Sequence, residues 1–179
     1  MLRSILMAKL IFLIIYQGTG ADEKPYEVQI QSFEPVNYKK GIFDPQTLRV
    51  TRKGRNQYVI TGDFSLLINL GDDSSMVYEV LKKSDVSDDY TSLLKDSGNI
   101  CKFTVTNTNF YPRFRSFTNF PEPDTCPFPK GNYTIKDFTL DENLFPDTAP
   151  NGAYLMKTVY TKDNQNLFGY NIALEVTRN

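Results

Sequence analysis

From Tyr26 onward, apolar and polar residues alternate in short runs separated by turn residues. Tyr26, Val28 and Ile30 share one face of "YEVQIQSF", the period of two expected of a strand with one buried side. "FEPVNYKKGIFDPQ" breaks that run with two prolines and a glycine. "LRVTRKGRNQYVITGDFSLLINL" reads as a hairpin turning at Lys53-Gly54-Arg55-Asn56. Its second arm sets Tyr58, Ile60, Phe64, Leu66, Ile68 and Leu70 on one face, with Gly62 between them. A glycine in mid-strand predicts a bulge or a bend. After the turn "GDDSS", "MVYEVLKK" places Met76, Tyr78 and Val80 on one face.

"SDVSDDYTSLLKDSGN" is polar and irregular, with a short helical turn expected over Tyr90 to Lys95. "ICKFTV" reads either as a strand or as the lead-in to a helix. The period then changes. Phe110, Phe114 and Phe117 recur at i, i+4 and i+7, one face of a helix. Pro112 is compatible only with a first helical turn, which makes Asn109 the expected N-cap. The spacing predicts a helix over 110–118, closed off by Pro121 and Pro123. "YTIKDFTL" alternates again. "AYLMKTVYT" and "LFGYNIALEV" form a last hairpin turning at Lys162 to Asn166, with Phe168, Tyr170, Ile172, Leu174 and Val176 on one face. Seven or eight short strands without a βαβ rhythm predict an all-β, immunoglobulin-like two-sheet β-sandwich with one short inserted helix.

The first residues place this domain in a compartment. "MLRSILMAKLIFLIIYQGTGA" begins with Arg3 and Lys9, continues as an unbroken apolar run from Leu10 to Tyr16, and ends in the small residues Thr19-Gly20-Ala21. This is the layout of a secretory signal peptide over 1–21, cleaved after Ala21 or Gly20. The apolar core falls short of the roughly 18 residues of a membrane anchor, and no second long apolar run follows. Residues 22–179 then form a single extracellular domain with no transmembrane segment. Removing Arg3 and Lys9 leaves 18 basic against 21 acidic residues, a net charge of −3. The only basic cluster, Arg52 to Arg55, reads as a turn, so nucleic acid is not an expected partner.

In a secreted chain, Cys101 and Cys126 are expected to form a disulfide, with buried free thiols as the alternative. A metal site fits less well, because histidine is absent and no CxxC spacing occurs. Asn132-Tyr133-Thr134 is an N-glycosylation sequon at a turn-to-strand junction. The absence of histidine also removes the usual general base and the usual catalytic triads. No GxSxG, phosphate loop or HExxH motif is present. The paired carboxylates Asp72-Asp73 and Asp88-Asp89 fall in polar turns. The reading is therefore non-enzymatic and without a cofactor.

Aromatic residues make up 13% of the chain, all Phe and Tyr. Such rings either fill a core or line a slot for an apolar ligand. The strands offer Phe64, Leu66, Ile68 and Tyr78 for a pocket, and later Phe138, Phe168 and Tyr170. The helix adds Phe110, Phe114 and Phe117.

Three stretches carry a family likeness: "RVTRKGRNQYVITGDFSLLINL", "NICKFTVTNTNFYPRF" and "TNFPEPDTCPFPKGNYTIKDFTLDENLFPDTAPNGAYLMKTVY". The third is the most specific, with its Asn-x-Pro element, Cys-Pro, Gly-x-Tyr, Pro-bearing loop and following glycine. Over roughly Tyr26 to Val176 the chain resembles the insect secreted chemosensory CheA/CheB-like group. That group is related in fold to the ML lipid-recognition domains, which include the ganglioside activator protein. The resemblance implies a sandwich that opens between its sheets to hold a lipid, sterol or cuticular-hydrocarbon-type pheromone, acting as a carrier or alongside a membrane receptor. ML domains usually carry more disulfides than the one pair available here. The alternative reading is a secreted interaction module with a solid core, offering Lys53 to Asn56 and Leu144 to Asn151 as binding edges.

Overall fold

The computed structural model describes residues 25–108, 110–140, 142 and 145–178. The expected leader over 1–21 and the expected N-cap Asn109 lie outside the described residues. Nine strands and two helices are seen among them: β1 (Tyr26–Val36), β2 (Phe43–Asp44), β3 (Arg49–Gly54), β4 (Gln57–Leu66), β5 (Ser74–Lys83), β6 (Tyr90–Asn99), α1 (Ile100–Thr106), α2 (Phe110–Arg115), β7 (Gly131–Phe138), β8 (Gly152–Lys162) and β9 (Gln165–Arg178).

They build two antiparallel sheets, an all-β sandwich. The first sheet runs β1-β9-β8-β5-β6. In the second, β4 pairs with β7 along one edge and with β2 and β3 along the other, because Leu66 opposes both Phe43 and Gly131 while Ile60 opposes both Val50 and Phe138. One apolar core joins the inner faces. It includes Tyr26, Ile30, Phe64, Phe168, Leu174 and Val176.

Both expected hairpins form, β3–β4 and β8–β9. Gly62 adopts φ +125° opposite a register shift between β4 and β7, as a glycine in mid-strand predicts. A side chain there would run into the backbone of Thr47, which donates its N–H to Asp63 O at 3.1 Å. The shift gives β7 one residue more than β4 between the pairs Ile60–Phe138 and Gly62–Ile135. Asp137 takes up the extra length at φ +56°. Tyr133, Ile135 and Phe138 are therefore all buried, although strict alternation would turn Phe138 outward.

Three expectations are corrected, and the reading left open for "ICKFTV" is decided. Tyr90–Lys95 is strand rather than helical turn, since it pairs with β5 through β6. An edge strand exposed on both faces needs no buried apolar stripe. Pro35 does not end β1, which continues through it to Val36. β1 is an edge strand, where proline's missing N–H leaves no ladder bond unmade. "ICKFTV" is helical, with Asn99 as N-cap accepting the Lys102 N–H. The second helix ends at Arg115. Beyond it the chain tightens into i→i+3 bonds through Phe117 and Thr118, and Thr118 then bridges to Ile135. Pairing with the edge of β7 ends the helix before the prolines do.

Candidate functional site

Cys101 and Cys126 form the expected disulfide, with Cα atoms 5.5 Å apart. It ties the first turn of α1 to the stretch that follows α2. Asn107 Oδ1 accepts the N–H of Phe110 at 2.7 Å and of Tyr111 at 3.4 Å, holding the start of α2. Farther on, Asn119 reaches the edge of β7 through its side chain. Its Nδ2 donates to Asn132 O at 3.1 Å and its Oδ1 accepts the Thr134 N–H at 2.8 Å. Lys136 N donates to Phe117 O at 2.7 Å. The outer edge of β7 is sealed in this way, and α2 is held beside its C-terminal end.

Between α2 and that end lies a cleft of about 340 Å³, lined by Phe110, Phe114, Phe117 and Phe138 with Arg113, Ser116 and Thr139. Phe110 and Phe114 stack with centroids 5.6 Å apart. Both meet Phe138 in T-shaped contacts at 6.4 and 4.8 Å, and Phe117 does so at 5.6 Å. Phe138 is buried, whereas the other three rings are only half-buried. A more polar cleft of about 480 Å³ lies between the start of β1 and the β3–β4 turn. Glu27, Arg55, Tyr58 and Glu142 are among its lining residues, and it shares Thr139 with the first.

The structure thus gathers four of the ten expected pocket residues around one cleft. The remaining six lie elsewhere. Phe64 packs against Phe43, Phe120 and Tyr133. Phe168 stacks on Phe43 at 4.6 Å and on Tyr160 at 4.5 Å. Tyr170 stacks on Phe33. Leu66 is core, Ile68 is half-buried, and Tyr78 donates its hydroxyl to Asp96 Oδ2 at 3.2 Å. A chain of ring contacts runs from the cleft through Phe114, Phe120, Phe64, Phe43, Phe168 and Tyr160 to Tyr170.

Tyr111, Phe43, Phe120 and Tyr160 were not among the expected residues. Tyr111 is the most buried residue of α2, and its hydroxyl donates to Pro121 O at 3.1 Å. It shares a helical face with Phe114, so the i, i+3 spacing was there to read. Phe120 and Phe43 sit in proline-rich stretches without periodicity. Burial pushes the Tyr111 phenol up to about 12, with Arg115 opposing the shift. Burial likewise raises Tyr160 well above the ordinary value, and the Tyr170 hydroxyl adds to this.

Asp72, Cys101 and Cys126 lie close enough to suggest a metal site, but both sulfurs are committed to the disulfide. At Asn132 the side chain is exposed, and its Oδ1 accepts from Ser65 Oγ at 2.6 Å. That bond leaves the amide nitrogen as the group available for a glycan. No helix among the described residues is long and apolar enough to cross a membrane.

Residues 76–156 match a family described as "Protein of unknown function (DUF1091)". The matched stretch runs from β5 into β8 and takes in the disulfide, both helices and every residue lining the aromatic cleft. No curated protein matches the chain.

Proposed function

We propose that the protein is a secreted, non-enzymatic binding protein. It takes an apolar ligand, such as a lipid, sterol or cuticular-hydrocarbon-type molecule, into the phenylalanine cleft between α2 and the C-terminal end of β7. The observation that carries this reading is the set of three half-buried phenylalanines around Phe138, bordering about 340 Å³ of open space. Pockets for small ligands span roughly 300–1,000 Å³ with mostly apolar walls. A site near the low end suits a hydrocarbon chain or a small ring system better than a bulky headgroup. Resemblance to the insect chemosensory group and the ML domains supports the same ligand class and a role in chemosensation beside a membrane receptor. Secretion and a glycan on Asn132 belong to this reading.

A filled interior favours a second reading, an interaction module with a solid core. Phe43 of the second sheet stacks on Phe168 of the first at 5° between ring planes, which leaves no slot between the sheets at that point. For this reason the ligand is placed at the α2 margin and not in the centre.

The chain contains no tryptophan, so a single introduced indole reports on its own surroundings. Phe117→Trp fills the cleft and places that reporter in its wall. Unaltered protein secreted from insect cells should bind a fluorescent fatty-acid probe. The variant should fold normally and bind at least ten-fold more weakly, a difference of about 1.4 kcal/mol. Absence of probe binding by the unaltered protein, together with absence of any co-purified apolar molecule, would leave the interaction module as the better account.

A further inference from the structure

α2 carries two arginines in its last turn, Arg113 and Arg115, and they are used differently. Arg115 turns to the segment after the helix. Its Nε donates to Phe120 O at 3.2 Å, and its guanidinium pairs with Glu122. Arg113 lies three residues after Phe110 and four before Phe117, so it shares the helical face of the phenylalanines. It lines the cleft with them, whereas Arg115 does not. The last turn suits either arginine to the helix dipole, but only Arg113 stands on the aromatic face. Among the described residues lining the cleft it is the only charged one. Arg113 and Ser116 are exposed, while Phe138 is buried. The cleft thus joins an apolar floor to a rim where a guanidinium meets water. At that rim the Ser116 hydroxyl already donates to Arg113 O at 2.6 Å, so the guanidinium is the exposed donor that can serve a ligand. Its five N–H groups form a planar fork that matches a carboxylate. That number leaves room for a ligand beside any partner Arg113 already has.

We propose that the ligand of this cleft is a single-chain carboxylic acid in its ionised form. Its alkyl chain lies against Phe110, Phe114, Phe117 and Phe138, and its carboxylate sits on the Arg113 guanidinium. The inference rests on the apolar-ligand reading of the cleft and narrows it. A hydrocarbon or a sterol offers the guanidinium no anion. A phosphate monoester would bring nearly two negative charges to one cation. A carboxylate brings one charge in the planar geometry that the fork fits.

Displacement of a neutral naphthylamine probe from the secreted, disulfide-intact protein tests this. The competitors are decanoate and nonanol, which carry alkyl chains of the same length and differ in the head. At neutral pH the unaltered protein should bind decanoate about three- to five-fold more tightly than nonanol, the size of an exposed ion pair. Arg113→Gln should bring the two affinities together. Lys157→Gln removes the same charge at an exposed position outside the cleft and should keep the full preference. Equal binding of the two compounds by the unaltered protein overturns this proposal and leaves an apolar site in the cleft. A preference that survives Arg113→Gln, or that vanishes in Lys157→Gln, does the same. Displacement by neither compound overturns the apolar-ligand reading and this inference with it.

Discussion

The chain of ring contacts has two ends that differ in kind. At one end Phe43, Phe168 and Tyr160 form a continuous stack between the sheets, with adjacent centroids 4.6 and 4.5 Å apart. At the other, Phe110, Phe114 and Phe117 surround Phe138 and border open space. Phe168 and Tyr160 project from strands with ladders on both sides, and Phe43 from the short β2 paired with β4, so facing side chains meet and interdigitate. The outer rings belong to a six-residue helix and the turn after it, held by a disulfide and by asparagine side chains. Phenylalanine therefore serves as core between the sheets and as cleft wall beside α2.

Truncation of an inner ring should have the largest effect. Phe168→Ala removes a buried ring with partners on both sides and should cost about 3–5 kcal/mol, read as a shift in urea midpoint. A loss under about 1 kcal/mol, small for a surface-like truncation, would mean that the inner stack is loose, and the contrast between the two ends would collapse.

The staple comes next. Cys126→Ser opens a loop spanning a sequence separation of 25 and should lower stability by about 3 kcal/mol in the chain-entropy view. Its structural consequence should be local, with faster proteolysis between 102 and 125 and weaker probe binding. If cleavage appears first in the β8–β9 hairpin, the staple supports the whole sandwich rather than its outer margin.

Phe114→Ala addresses the outer end directly. The ring is half-buried, so its loss should cost about 1–2 kcal/mol, less than the roughly 3 kcal/mol of full aromatic burial. Probe affinity should fall at least as much as it does in Phe117→Trp. A destabilisation equal to that of Phe168→Ala with unchanged probe affinity would turn the cleft into ordinary core.

These contrasts coincide with what could and could not be read along the chain. The β3–β4 and β8–β9 hairpins were legible because alternation and turn residues agree there, and Gly62 announced the bulge. Cys101 and Cys126 had only one pairing available. The strand β6 was not legible, because a strand exposed on both faces has no apolar stripe to show. Phe138 was named for the pocket, yet its inward phase depends on the extra residue at Asp137, and alternation alone would have faced it outward. The end of α2 was misplaced for a related reason. Prolines mark where a helix must stop, while Thr118 leaves it earlier to pair with Ile135, a contact with another element. Local pattern specifies elements; the edge contacts that shape the cleft are tertiary.

The smallest expected effect belongs to the buried tyrosine of α2. Tyr111→Phe removes a hydroxyl that donates to Pro121 O and should cost about 1 kcal/mol at neutral pH. Its distinguishing signature is alkaline. In the folded protein burial holds the Tyr111 phenol up to about 12, while in the unfolded chain it titrates near the ordinary value of about 10. Between those values the unfolded chain releases a proton that the folded protein keeps. Stability must therefore fall as pH rises from about 10 towards 12. Replacing Tyr111 by phenylalanine removes its share and should make that decline shallower, as measured by urea unfolding at several alkaline pH values. The decline should not vanish, because burial also raises Tyr133, Tyr154 and Tyr160. Tyr160→Phe, in the inner stack, should flatten it by a similar amount up to about pH 11 and by more only near pH 12. A decline unchanged in Tyr111→Phe would mean that this phenol is solvated.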